Sequence, residues 1–199
     1  MDKAKRRVQL LNAARDVFVK KGYHASTVDD VVAHAKVARG TYYLYFEDKR
    51  AALEAILDRA FTRVGMAVVR VDPDDRARTV ESQARENLRR VVGSLLEDPG
   101  STRLLLSEAL AADAHVDDKL AAFYGELRTL IVETLAEGQG LKLVRPGSAE
   151  LYAELVMGAL KQVLTYACTH PHVAKDPEPL CDQVFSFFTS GCLSLPKTT

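Results

Sequence analysis

Apolar residues recur at helical spacing along nearly the whole chain, and Pro and Gly mark the joints between the periodic stretches. No sustained alternation of apolar and polar residues indicates a β-strand. The pattern predicts nine helices, at about 4–21, 28–35, 38–46, 48–71, 76–97, 101–113, 116–137, 148–169 and 178–193. We therefore expect an all-α protein with short connections between its helices.

The last two predicted helices are unusually apolar. The final helix carries a stripe with helical spacing, and the helix before it is apolar on more than one face. A helix that is apolar on two sides needs cover on both, either from its own core or from a second chain. Both covers stay open at this point; a second chain would pair through a dimer interface formed by Leu155, Val163, Leu180, Val184, Phe187, Phe188 and Gly191.

The charge of the chain is balanced overall but unevenly distributed. Lys and Arg number 27, as do Asp and Glu, so the formal net charge is zero. Residues 1–50, however, hold eleven basic against six acidic side chains, a net charge of +5, which leaves −5 on the remaining 149 residues. A basic N-terminal quarter on an acidic body is typical of a chain of which only one end meets a polyanion.

Two short helices joined by a tight turn lie in this basic quarter, and that pattern predicts a helix-turn-helix. Such a pair places its second helix in the major groove of DNA. Lys49 follows at the start of the next helix, where its ammonium and the backbone N–H groups are suited to a phosphate. The hydrogen-bonding side chains of the second helix are Arg39, Thr41, Tyr43 and Tyr45.

The same stretch resembles a known family, the TetR-family (tetracycline-repressor-like) transcriptional regulators. The residues that carry the resemblance are Phe18, Lys21-Gly22-Tyr23, Ser26-Thr27-Val28, Ala35, Val37, Arg39-Gly40-Thr41-Tyr42-Tyr43, Phe46 and Lys49. It implies a DNA-binding domain in residues 1–50 and a ligand-binding and dimerisation domain in residues 51–199. It also implies a homodimer on a palindromic operator, usually a repressor that a small molecule releases.

The resemblance further implies roles for single residues. Thr27 is the phosphate-contacting cap of the second helix. The base-facing side of the recognition helix is implied to comprise Arg39, Gly40, Thr41 and Tyr42. The phosphate ligands are implied to be Tyr43, Tyr45 and Lys49.

Three residues depart from the family pattern. Lys36 stands where the family usually has a turn glycine; a positive φ there costs roughly 1 kcal/mol, but the residue adds a cation near the DNA. Asp29 occupies a position that is often basic, which puts a DNA contact there in doubt. Tyr42 replaces the usual leucine, and its ring either packs inward or reaches the groove.

The second domain offers apolar side chains for a small-molecule effector, and we expect an apolar or amphipathic compound rather than a sugar. The candidate ligand-binding residues are Phe61, Leu105, Glu108, His115, Phe123, Tyr124, Leu127 and Tyr152. The sequence has no evident nucleophile–base pair and no metal-ligand spacing, so we expect neither an enzyme nor a cofactor or metal. Cys168, Cys181 and Cys192 are an odd, widely spaced set that favours a reducing compartment.

An alternative function stays open at this point: a helical adaptor that binds another protein through its apolar C-terminal stripe. Salt-insensitive or absent DNA binding would favour it. No apolar run approaches the roughly 20 residues of a membrane-spanning helix, and we expect no membrane partner. The N-terminal stretch is too short and too charged for a signal peptide. We expect a bacterial cytoplasmic protein that associates with the nucleoid.

Overall fold

The computed structural model describes residues 2–107 and 113–190, and in those ranges the chain forms helices without any strand. The predicted all-α fold class is confirmed. The helices are α1 (Lys3–Lys21), α2 (Val28–Ala35), α3 (Arg39–Tyr43), α4 (Lys49–Ala67), α5 (Val80–Leu96), α6 (Pro99–Leu105), α7 (Ala114–Gly140), α8 (Ala149–Thr169), α9 (Pro171–Lys175) and α10 (Glu178–Ser190).

Several predicted elements differ from the structure. Helix α3 ends at Tyr43 rather than at residue 46, and α6 ends at Leu105 within a helix predicted over 101–113. The described ranges contain ten helices rather than nine, because Pro171, predicted as a break, begins the short helix α9. Proline suits a first helical position, where its missing N–H has no intrahelical partner. Helix α4 ends at Ala67 instead of residue 71. Helix α7 continues through residues 138–140, where we predicted that the helix had already ended.

Most helices begin at a side chain that accepts a hydrogen bond from an N–H of the first turn, which satisfies a donor that the helix itself cannot. The capping residues are Asp2, Thr27, Asp48, Thr79, Asp98, Asp113 and Ser148. The cap expected at Thr27 is therefore confirmed, and Asp48 caps α4 in the same way.

Buried side chains form one connected core from α1 to α10. Helix α1 packs against α2, α4 and α6, while α4 also packs against α5 and α7. Helix α5 packs against α10, and α7 lies along α8. Because α4 contacts α1 as well as α5, α6 and α7, the boundary that we predict after residue 50 is not a break in the core. Within the described residues no helix is long and apolar enough to cross a membrane.

The turn between α2 and α3 is left-handed at Lys36. This residue has φ 54° and ψ 49°, and its N–H bonds to the carbonyls of Val32 and Ala33. The positive φ that we considered from the sequence is present, at a position that favours glycine. The charged side chain is exposed, so it is available as a cation beside α3.

We expect Lys36→Gly to raise the free energy of unfolding by about 0.5–1 kcal/mol, since relief of the left-handed strain exceeds the added entropy of the unfolded chain. Chemical denaturation measures this. Lys36→Ala is the control, because it removes the same charge and keeps the Cβ. Equal stability of the two variants would contradict the strain argument.

Candidate nucleic-acid interface

A capping box fixes the start of α2. The Thr27 hydroxyl accepts from the backbone N–H of Asp30, and the Asp30 carboxylate accepts from the Thr27 N–H at 2.8 Å. Lys21 adds an ion pair to Asp30 at 2.7 Å. Hydrogen bonds from Lys21, and then from Thr27, lower the pKa of Asp30 to about 2. Thr27 is exposed at this helix end, so its contact with a phosphate remains a prediction.

Tyr42 anchors α3 to the core. Its side chain is 0% exposed, and its hydroxyl donates to the Asp48 carbonyl at 2.9 Å. Its ring also packs against Phe46, which is buried as predicted. Burial raises the pKa of the Tyr42 phenol. The prediction that Tyr42 faces the bases is therefore wrong: of the two orientations left open, the ring takes the inward one, where it packs against Phe46 and its hydroxyl finds a carbonyl acceptor.

The opposite side of α3 is open to solvent. Arg39, Gly40 and Tyr43 are exposed, and Thr41 is half-buried. Nothing lies within 4 Å of the place where a Cβ would stand on Gly40, so the helix surface is low at this point and DNA can approach the backbone closely. Tyr45 is half-buried against the core, which leaves only part of its side chain for a phosphate contact.

Leu44 also belongs to this exposed surface, although our reading of the sequence did not include it. Its side chain is 76% exposed, directly after the last residue of α3. An apolar side chain in this position is suited to contact with a thymine methyl group in the major groove. The sequence signal was its spacing: Leu44 stands four residues after Gly40 and lies off the buried positions Tyr42 and Phe46.

Arg39 is held in place by two side chains. Its Nη1 lies 2.9 Å from both carboxylate oxygens of Asp29, and its Nη2 donates to the Tyr43 hydroxyl at 3.3 Å. The guanidinium carbon lies 5.8 Å from the centre of the Tyr43 ring. Asp29 therefore contributes to this surface through Arg39, although it departs from the basic residue that the family often has there.

Lys49 ties the start of α4 to the loop between α1 and α2. Its ammonium donates to the backbone carbonyls of Tyr23, His24 and Ser26 at 2.9, 3.1 and 3.0 Å. It also lies 4.7 Å from the centre of the Tyr23 ring. An ammonium has three donors, and all three are used here. In this structure the side chain binds the loop between α1 and α2, and its contact with a phosphate remains a prediction.

Two polar contacts connect this N-terminal unit with later helices. Arg15 of α1 lies 3.1 Å from Asp98, the cap of α6, and Arg63 of α4 approaches the same carboxylate at 3.8 Å. Burial alone would raise the pKa of Asp98, but hydrogen bonds from Ser101 and the charge of Arg15 outweigh it and lower that pKa. Gly100 permits the approach, since a Cβ there would stand 2.9 Å from the Arg15 side chain.

The second contact joins the loop between α1 and α2 to α7. The Tyr23 hydroxyl donates to Asp113, the cap of α7, at 3.4 Å. Burial raises the pKa of Tyr23 to about 12, and the Asp113 charge adds to the shift. Tyr23 thus contacts both the α4 start, through Lys49, and the α7 start. Spacing in the sequence cannot reveal such pairs, because their partners are 26 and 90 residues apart.

The structure brings together only some of the candidate effector residues. Phe61 and Phe123 stack with ring centres 4.0 Å apart, and Phe123 contacts Tyr124. The Tyr124 hydroxyl donates to the Leu105 carbonyl at 3.0 Å, and burial raises its pKa to about 12. Leu127 packs against the same core. We call Phe61, Leu105, Phe123, Tyr124 and Leu127 the aromatic cluster.

The remaining effector candidates lie apart from the aromatic cluster. His115 is exposed on the first turn of α7. Tyr152 donates to the Pro146 carbonyl at 3.0 Å and so closes the turn between α7 and α8. Its predicted role at the effector is not supported, because a local turn takes up its hydroxyl. Glu108 lies outside the described residues.

Apolar side chains are exposed on α8 and α10, as expected of an interface. Leu155 is 58% exposed and Phe187 is 50% exposed, with Phe188 beside it. Val163, Leu180 and Val184 are half-buried. Gly191 lies outside the described residues. On α8 the exposed stripe extends to Leu151 and Tyr166.

The described part of the chain contains no group of three or more His, Cys, Asp and Glu residues that could hold a metal. Cys168 and Cys181 are free thiols whose pKa values burial raises. His170 stacks on Tyr166 at 4.0 Å. Cys192 lies outside the described residues.

We expect Lys49→Met to lower the free energy of unfolding by about 1–3 kcal/mol, because three carbonyls lose a charged donor while the aliphatic stem remains. The dependence of DNA affinity on salt should not change. Lys36→Met is the matched control: it removes an exposed lysine without such bonds, and it should reduce the salt slope by about one if Lys36 meets a phosphate. Thermal unfolding and fluorescence anisotropy measure both. An unchanged stability of Lys49→Met would refute the assigned role.

Known proteins match this chain either over its N-terminal region alone or over most of its length. Residues 10–56 match the family model described as bacterial regulatory proteins, tetR family. The fatty acid metabolism regulator protein of Bacillus subtilis is 25% identical over 167 residues, which covers 79% of this chain and 81% of that protein. Several other curated regulators match over 46 to 61 residues, which is 20–31% of their own lengths.

Solved structures share the fold over nearly the whole chain. The MbdR regulator from Azoarcus sp. CIB has a TM-score of 0.79 at 22% identity and covers 95% of this chain and 100% of its own. The regulator FadR from Bacillus subtilis, solved in complex with stearoyl-CoA, has a TM-score of 0.69 at 22% identity, with 94% and 99% covered. Residues 10–56 therefore match the DNA-binding domain of the tetR family of bacterial regulatory proteins, and the chain as a whole shares its fold with solved regulators.

Proposed function

We propose that this protein is a homodimeric repressor that binds a palindromic operator and is released by a long-chain acyl-CoA. The proposal that the protein binds DNA rests on the exposed side of α3. There polar and basic side chains surround Gly40, which has no side chain to keep DNA away from the backbone. We propose Thr27, Lys36, Arg39, Gly40, Thr41, Tyr43 and Tyr45 as its DNA contacts, with Leu44 added. The protein acts in the cytoplasm, at the nucleoid.

The exposed apolar side chains of α8 and α10 support a dimer of this chain. Leu155 and Phe187 each leave half or more of their side chain uncovered, which is costly in water for residues of this size. A twofold axis in the dimer sets the two recognition helices about one DNA turn apart, and the operator is then palindromic.

The acyl-CoA class rests on two observations. The aromatic cluster is apolar and lies between α4 and α7, which suits a hydrocarbon chain. The relative that matches most of the chain is a fatty acid metabolism regulator, and a structure with the same fold was solved with stearoyl-CoA. We therefore propose that the acyl chain enters beside Phe61 and Phe123.

Polar contacts between helices connect the proposed acyl-CoA site with the N-terminal DNA-binding unit. The aromatic cluster includes Leu105, at the end of α6, and residues of α4 and α7. Helix α6 begins at Asp98, which holds Arg15 of α1, and α7 begins at Asp113, which holds Tyr23. A shift of α6 or α7 around a ligand therefore acts on the N-terminal unit. The coupling in such proteins is typically about 1–3 kcal/mol and must be reciprocal.

The basic test is fluorescence anisotropy of the protein on DNA from upstream of its own gene, against scrambled DNA and over a salt series. If neither binds selectively, the operator is selected from random double-stranded DNA. Selective binding with a steep salt slope is the expected result. No binding to any DNA at low salt would refute the regulator and favour the protein-binding adaptor.

We expect Phe187→Asp to produce a monomer, because a carboxylate in an apolar interface must lose its hydration. Operator affinity should fall by roughly 100-fold or more, since two half-sites no longer bind together. Met66→Asp is the control, because Met66 is 79% exposed on α4, away from the proposed interface. Analytical ultracentrifugation measures the mass, and a dimeric Phe187→Asp would disprove the assigned interface.

We expect stearoyl-CoA to weaken operator binding by about 5–150-fold, whereas coenzyme A without an acyl chain should have no effect. The chain contains no tryptophan, so Phe61→Trp introduces a single fluorescent reporter into the aromatic cluster. Its emission should change on addition of stearoyl-CoA, while that of Met66→Trp on the same helix should not. Absence of release would refute the acyl-CoA class, and release without a signal at Phe61→Trp would place the acyl chain elsewhere.

A further inference from the structure

Asp29 is the one acidic side chain in contact with the exposed side of α3 among the described residues, and it is close to the phosphates if α3 enters the major groove. An uncompensated carboxylate there weakens binding to every DNA sequence, because it repels the phosphates. Asp29 would therefore only weaken DNA binding, unless it acts through a neighbouring side chain. Its contact with Arg39 identifies that neighbour.

The pair of Asp29 and Arg39 contributes little to folding. The two side chains are 64% and 59% exposed, and an exposed ion pair of this kind adds little to stability because water screens it. In a DNA complex, however, both side chains would lie in the groove, where water is largely displaced and the same contact is stronger. The pair is thus placed where it affects recognition more than stability.

The contacts leave one edge of the guanidinium open. Asp29 engages Nη1 at 2.9 Å through both carboxylate oxygens, and the Tyr43 hydroxyl takes one Nη2 hydrogen at 3.3 Å. The Nε–H and the second Nη2–H remain. If the Tyr43 hydroxyl accepts the Nη2 hydrogen that faces Nη1, the two remaining donors lie side by side and match the O6 and N7 acceptors of guanine in the major groove.

The carboxylate also keeps Arg39 away from the DNA backbone. A free arginine on a groove-facing helix is attracted to the nearest phosphate, a contact that carries no sequence information. Asp29 competes with the phosphate for the guanidinium and restricts its rotation. Tyr43 supports the same orientation, since its ring lies beside the guanidinium.

We propose that Asp29 is a positioning residue that makes Arg39 specific for a guanine in each half of the operator. The inference rests on the proposed binding of DNA by α3. It assigns a purpose to an acidic residue that would otherwise only oppose binding, and it separates Arg39 from the residues that contact phosphates.

The experiment is a selection from random double-stranded DNA with the full-length wild-type protein and with Asp29→Asn, followed by anisotropy on the selected operator. Wild type should select a guanine that Arg39→Ala does not. In Asp29→Asn the preference for that guanine over other bases should fall by roughly tenfold, which is within the range of one bidentate contact. Its affinity for scrambled DNA should rise, because a negative charge is lost.

Two further variants separate positioning from simple charge repulsion. Asp29→Asn in the Arg39→Ala background should leave base preference unchanged, because Asp29 acts only through Arg39. Asp29→Glu, which keeps the carboxylate, should restore part of the guanine preference. Thermal unfolding checks that all variants fold, which is expected for an exposed position.

The possible results are distinct. Asp29→Asn is compared with wild type on the operator and on the operator in which that guanine is replaced by another base. If the variant binds both more tightly than wild type by the same factor, Asp29 is only a repelling charge and the inference is overturned. Selective binding by wild type without any guanine dependent on Arg39 also overturns it, but leaves the regulator intact. If wild type binds no DNA selectively, the proposed function fails, and the inference fails with it.

Discussion

The ammonium of Lys49 is the interaction on which the arrangement of the DNA-binding face depends. It binds three carbonyls of the loop between α1 and α2, so the first residue of α4 is tied to the loop that leads into α2. Helix α3 lies between these elements and is itself anchored by the buried ring of Tyr42, whose hydroxyl binds the residue that caps α4. The orientation of the exposed side of α3 therefore follows from the start of α4.

The same helix gives the fold its continuity. Helix α4 starts beside α3 and packs farther along against α5, α6 and α7, so one core runs from the N-terminal unit to the last described helix. Polar contacts at Asp98 and Asp113 cross this core at helix starts, where a small movement of a helix axis displaces the capping carboxylate. In the proposed function, these helix positions rather than a flexible joint carry the effect of ligand binding to the N-terminal unit.

The sequence predicted the helical fold well because it depends on local signals. Apolar spacing, caps such as Thr27 and Asp48, and the left-handed turn at Lys36 each involve residues within a few positions of one another. The errors arose where a local rule had an exception. Proline usually marks a break, but Pro171 starts a helix; glycines usually end a helix, but residues 138–140 form the last turn of α7.

The sequence by itself determined that the chain is helical, that its basic end carries a helix-turn-helix, and that its C-terminal helices present apolar surface. Residue type and spacing suffice for these properties. Only the tertiary structure decided that Tyr42 faces the core, that Lys49 binds carbonyls and that Asp29 holds Arg39. A tyrosine, a lysine or an aspartate has both an apolar or flexible stem and a polar end, so its role is set by which groups lie within about 3 Å, and those groups come from distant parts of the chain.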